Sequence, residues 1–332
     1  MFGQKSTRQI DLHLPTGWNR CTTEELEAIA AAIISEQQRV DRYHPFDWSR
    51  VKLGIVLSIN EITVMEDGRG KMDDVRGKKE EGRDISHQTS DISHQTSDIE
   101  STWLVKRPED KEPWPITTGQ LVALTERLAW IDDEKASKVI FQFPYPTLTI
   151  DHLPLTIDRS SLNIDHLPLT IQGPPPLLDG YTWQEYRWLT DWMQEYMRLS
   201  NARRDASTAQ REFLAVLFKP AGEKMFNVQC SMFNDFSPVK WQVILFWWSS
   251  LMSILAKKFP KVFKQQLVGK GKRRQQQQDT PWDFYNRVTA TIQKYIGGLS
   301  SSDVDNQPYG VTLQQLEMMA DEAAEMEKLK KK

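Results

Sequence analysis

Apolar positions recur along this chain at two spacings, and each spacing predicts a kind of element. Leu26, Ile29, Ala30, Ile33 and Ile34 fall on one face at helical spacing. Thr22-Thr23-Glu24-Glu25 precedes them as a capping box, in which the Thr22 hydroxyl accepts from the Glu25 amide and the Glu25 carboxylate reaches back. A helix is therefore expected from Thr22 to about Gln38. The run from Val51 to Ile59 is short and rich in β-branched residues, which predicts a strand, with Ile62 to Met65 continuing it or pairing with it. Trp103-Leu104-Val105 marks the return of order further on. Leu121, Leu124, Leu128 and Ile131 then predict a helix from about Gly119, and Val139 to Phe143 a strand stopped by Pro144.

After Pro174-Pro175-Pro176 the pattern becomes helical throughout, with clear start and stop signals. Thr182-Trp183-Gln184-Glu185 is a second capping box, and Tyr186, Leu189, Met193, Tyr196 and Met197 supply its apolar face. Arg211 to Phe218 predicts a helix halted at Pro220. Ser237-Pro238 and Thr280-Pro281 each place proline at a first helical position, and Gly297-Gly298 ends the second of these helices. Thr312-Leu313-Gln314-Gln315 reads as a third capping box. The helix it opens has acidic residues early and Lys328 to Lys332 late, which suits the helix dipole.

Between these elements lie stretches of another kind. Residues 66–101 begin with mixed charge and glycine. They continue with a tandem heptad, Ile85 to Asp91 repeated as Ile92 to Asp98, that carries one apolar side chain per copy. Such a segment buries too little surface to offset its ordering entropy, so a mobile excursion is expected. A second duplication repeats Ile150 to Ile157 as Ile164 to Ile171, and its prolines restrict it to extended or edge segments. The expected organisation is an α+β part over 1–65 and 102–172, interrupted by 66–101. A Pro-rich linker over 173–179 then leads to an all-helical domain over 180–332. The fold class is mainly α.

Charge adds an exclusion. With 42 basic against 45 acidic residues, the net charge of −3 argues against a protein that coats polyanions. Cys21 and Cys230 lie far apart and outside any CxxC spacing, which excludes a zinc ribbon and a disulfide framework and suits a reducing compartment. The N-terminus lacks the apolar stretch of a signal peptide. Val239 to Ala256 is the best membrane candidate, but its unbroken apolar character falls short of the ~20 residues that span a bilayer, and a buried core helix is the better reading. A soluble, cytoplasmic protein is expected.

Candidate chemistry is sparse. All six histidines precede the Pro-rich segment, and the repeated Asp151-His152 and Asp165-His166 pairs have no further ligands at metal-binding spacing. No P-loop, G-x-G-x-x-G, H-E-x-x-H or G-x-S-x-G is present. No catalytic residue, cofactor or metal is expected, and the protein is not expected to be an enzyme. Two groups of side chains remain for binding. On the helix opened by Thr182, the aromatic series exceeds what one buried stripe needs. That nominates Trp188, Trp192 and Tyr196 for a protein partner. The stretch from Lys257 to Gln278 carries eight positive charges and no acid, and Lys270, Lys272, Arg273 and Arg274 are its candidates for nucleic acid. A basic helix end followed by a solvated linker explains the same charges and is favoured.

Four segments of the second half resemble, as a set, uncharacterised proteins encoded among the tail genes of prophages, near the tail-assembly chaperones of long-tailed bacteriophages. They are Gly180 to Tyr186, Phe236 to Gln242, Thr280 to Tyr285 and Leu313 to Met319. The resemblance implies a non-enzymatic role in virion structure or assembly, in a bacterial host cell or associated with a virion, with other proteins, such as tail components, as partners.

Overall fold

A computed structural model of the chain describes residues 12–41, 44–65, 102–133, 139–150, 169–218, 233–234, 236–267 and 281–330. The excursion 66–101, most of the second duplication and the Lys270 to Arg274 cluster lie outside the described residues. The chain is mainly α and forms two compact units, Met1–Ser137 and Lys138–Lys332. The Pro-rich segment 173–179 falls within the second.

The first unit opens with helix α1, Thr23–Arg39, whose N-cap Thr22 and Glu25 form the expected reciprocal capping box. It buries Leu26, Ile29, Ala30 and Ile33 and packs against helix α2, Trp48–Ile59. The α2 segment is the run expected to be a strand. Its buried residues, Val51, Ile55 and Val56, recur at helical and not alternating spacing, and the Asp47 carboxylate caps the start by accepting from the Ser49 amide at 2.9 Å. Packing against α1 therefore overrides the β-branched composition. Strands β1 (Thr63–Met65), β2 (Thr102–Lys106) and β3 (Trp114–Thr117) form an antiparallel sheet in that order. Ile62, Val105 and Ile116 are buried together, with Leu57, Trp114, Leu121 and Leu124 against them. Helix α3, Thr118–Glu126, follows β3 directly behind a Thr117/Gln120 capping box.

The second unit begins without the strand expected at Val139 to Phe143. That segment has no ladder partner among the described residues, yet Val139, Ile140 and Phe143 are buried. Its order comes from aromatic packing: Phe143 meets Trp247 edge-on at 4.8 Å and Phe218 at 5.5 Å. Strands β4 (Thr147–Ile150) and β5 (Leu169–Gln172) pair antiparallel and carry opposite ends of the duplicated segments. Gly173 follows β5 at a close approach, where a Cβ would stand 2.2 Å from the Tyr145 carbonyl oxygen. Only glycine fits there.

The helices are α4 (Trp183–Asn201), α5 (Ser207–Leu217), α6 (Pro238–Lys258), α7 (Pro260–Leu267), α8 (Pro281–Ile296), α9 (Ser301–Asp305) and α10 (Tyr309–Lys330). α4 carries its expected Thr182/Glu185 capping box, and α5 starts four residues before the expected Arg211. α6 is long and apolar enough to cross a membrane by length and composition. Within the unit it buries Trp241, Val243, Ile244, Trp247, Trp248, Leu251 and Leu255. Leu245 is only half-buried because it lies beside the face that carries Ile244 and Trp248. Gly297, at φ 71°, takes the left-handed conformation after α8 and donates its amide to the Gln293 carbonyl.

The third expected capping box is absent. α10 begins at Tyr309, after Pro308, so Thr312 sits inside the first turn with its amide bonded to the Pro308 carbonyl. Its side chain is fully buried and does not face solvent at a helix start.

Candidate interaction surface

The site is built on α10, and its root is fixed by a seam with the start of α4. The Trp183 amide donates to the Gln307 carbonyl at 2.7 Å, the Tyr309 amide donates to the Tyr181 carbonyl at 3.0 Å, and Thr182 and Pro308 form an antiparallel bridge. Aromatic rings extend the seam sideways. Tyr309 stacks on Tyr186 at 4.9 Å, and Tyr186 stacks on Trp183 at 5.8 Å. The Tyr309 hydroxyl donates to the Leu177 carbonyl. Burial first, and the nearby Asp179 charge second, push the Tyr309 hydroxyl's pKa up to about 12.

The middle of α10 is held by its acids. The Glu317 carboxylate accepts from the amides of Lys261 and Val262 at 3.0 and 3.1 Å, so it caps the open N-terminus of α7 from a different helix. Asp321 forms an ion pair with the Lys261 side chain. The Tyr295 hydroxyl, on α8, donates to Glu322 at 2.5 Å, and that bond is the main reason its pKa is raised.

Beyond Glu322 the surroundings end. Ala323 to Met326, Lys328 and Leu329 are all exposed. Met318, Met326 and Leu329 are 51 %, 56 % and 65 % accessible, and Val311 lies on the same stripe. At 3.6 residues per turn these four positions fall within about 80° of one another, an arc they share with Gln315 and with Glu322, so the apolar stripe is continuous only at the tip, at Met326 and Leu329. Tyr295 and Ile296, at the end of α8, are exposed apolar side chains too.

The residues nominated from sequence are distributed differently. Tyr196 packs edge-on against Trp241 at 4.9 Å and so joins the core with α6. Trp188 and Trp192 are half-buried. Met197, expected on the apolar face of α4, is exposed. Of the basic stretch, Lys261 is neutralised by Asp321, while Lys257 and Lys258 are exposed at the end of α6. The apolar stripe of α10 was not singled out from sequence. The spacing of Val311, Met318, Met326 and Leu329 was the signal that could have found it.

A second polar feature lies beside the root. Arg187, 5 % accessible, donates from Nη1 to Asp305 at 3.0 Å and so ties α4 to α9. One turn along, the Asp191 Oδ1 atom is buried without a hydrogen-bond partner among the described residues. Burial drives the Asp191 carboxyl pKa up to about 6, against the opposing pull of the Arg187 charge. Among the described residues no group of three or more His, Cys, Asp or Glu side chains is placed to hold a metal ion. Cys21 donates to the Gly17 carbonyl, and burial raises its thiol pKa to about 12, which keeps it a poor nucleophile. The chain matches no protein-family model, no curated protein and no solved structure.

Proposed function

We propose that the protein is a non-enzymatic structural or assembly protein that works through protein–protein contacts, with the distal half of α10 as a contact surface. One observation carries this reading. The apolar stripe of Met318, Met326 and Leu329 stands exposed on a helix whose root is tightly fixed. Fixing the root presents the stripe at low entropic cost, and exposed methionines suit a surface that adapts to a partner. The resemblance of Gly180 to Tyr186, Phe236 to Gln242, Thr280 to Tyr285 and Leu313 to Met319 to prophage tail-region proteins makes phage tail assembly the setting we favour. Its site of action would then be the bacterial cytoplasm or the assembling particle.

The test is a photo-crosslinking amino acid placed at Met326 of the full chain, in cells that produce the neighbouring tail proteins. Defined protein adducts are expected, and Leu329→Glu should abolish them. Crosslinks to nucleic acid, or none to protein, would overturn the reading.

A further inference from the structure

We propose that the distal half of α10 pairs, antiparallel, with the same helix of a second copy of this chain. The inference rests on the reading of α10 as a contact surface and names the occupant.

Charge order along the stripe carries the argument. Asp321, Glu325 and Lys328 follow one another at i, i+4 and i+7, which sets them along one flank of the apolar face. Read from the root outward, that flank runs acid, acid, base, and since Asp321 is already paired with Lys261, Glu325 and Lys328 are the charges left for a partner. In an antiparallel pair of identical helices each flank meets its own copy running the other way. With the two-fold axis level with the midpoint of Met326 and Glu327, Glu325 of each copy lies opposite Lys328 of the other. Leu329 of each copy then packs beside Met326 of the other. Glu325 and Lys328 are both exposed.

An isologous contact of this kind closes after two copies. It involves only a few turns of one helix, so it falls at the small end of specific interfaces, below ~1,200 Å². The pair is therefore weak and depends on concentration, which suits subunits that meet during assembly.

Sedimentation equilibrium on the full chain, from low micromolar to several hundred micromolar, tests it. The wild type should pass from monomer to dimer. Leu329→Glu should raise the dissociation constant by about tenfold or more, the effect of losing one packed interface side chain on each copy. Glu325→Lys and Lys328→Glu should each weaken the dimer, because each sets like charges opposite, and the double variant Glu325→Lys/Lys328→Glu should restore it. Circular dichroism should show all variants folded, since every altered side chain is exposed. A wild type monomeric throughout overturns the proposal, as does a Leu329→Glu protein that dimerises normally or a double variant as weak as the singles. A monomeric wild type that still crosslinks to another protein at Met326 removes only the self-pairing. The absence of any protein crosslink removes the contact surface as well.

Discussion

The root and the tip of α10 are parts of one uninterrupted helix, yet they are stabilised differently. At the root, Tyr309, Thr312 and Leu313 are buried, and backbone bonds to residues 181 and 183 fix the first turn. At the tip, the described side chains after Glu322 meet solvent. The contrast shows that helix length and burial are separate properties. The root is helical because neighbours return to cover it, whereas the tip extends a helix already nucleated, at little cost per added residue.

Removing the root's anchor should show the contrast most sharply. Tyr309→Ala deletes a buried ring and its stacking on Tyr186, and should cost about 3–5 kcal/mol in urea unfolding. An unchanged midpoint would mean that the seam does not hold the unit. Next comes Glu317→Gln, which weakens the cap on α7. A loss of about 1–2 kcal/mol is expected, and with it faster amide exchange at Lys261 and Val262.

The helix beside the root should carry a pH signature. The Asp191 carboxyl titrates near pH 6 in the folded chain and near its ordinary value of 3.8 when unfolded. The folded state thus holds the proton more tightly, so this contribution to stability is complete below about pH 4 and is lost as pH rises through 6. Asp191→Asn should flatten that part of the stability profile and make the protein more stable at pH 7. A profile identical to that of the wild type would show that Asp191 titrates normally.

Smallest of all should be Leu329→Ala at the tip, within about 0.5 kcal/mol of wild type by the same unfolding assay. A clear loss would mean that the tip is packed in solution at the concentration used. For the basic stretch, no duplex DNA complex should survive near physiological salt, with or without alanine at Lys270, Lys272, Arg273 and Arg274. Tight, salt-sensitive binding by the wild type alone would restore nucleic acid as the partner.

Where one local rule decides the structure, the sequence was legible. Thr22/Glu25 and Thr182/Glu185 cap helices as their spacing predicts, and Gly297 ends one. Thr312/Gln315 shows the same spacing and fails, because Pro308 and the bonds to residues 181 and 183 start the helix four residues earlier. Val51 to Ile59 and Val139 to Phe143 mislead for a related reason. Their β-branched and aromatic residues fit a strand, but α1 and the rings around Trp247 offer better burial than any neighbouring edge. The candidate surface was harder to see. Trp188, Trp192 and Tyr196 stand out by size, and Tyr196 is engaged with Trp241. The exposed stripe uses methionine and leucine, which look like ordinary core residues until the neighbouring elements are placed.

The seam between residues 181–183 and 307–309 also bears on how the protein is made. α4 leaves the ribosome long before residues 307–309 have been translated, so the Tyr181 carbonyl waits for the Tyr309 amide and the Trp183 amide for the Gln307 carbonyl. Nascent or prematurely terminated chains lack this closure and the ring of Tyr309 over Tyr186. Pulse–chase labelling should therefore show products ending before Gln307 degraded quickly while full-length chains persist. A late-made segment thus acts as a check on the early one, and the exposed end of α10 is presented only by copies in which the seam can close.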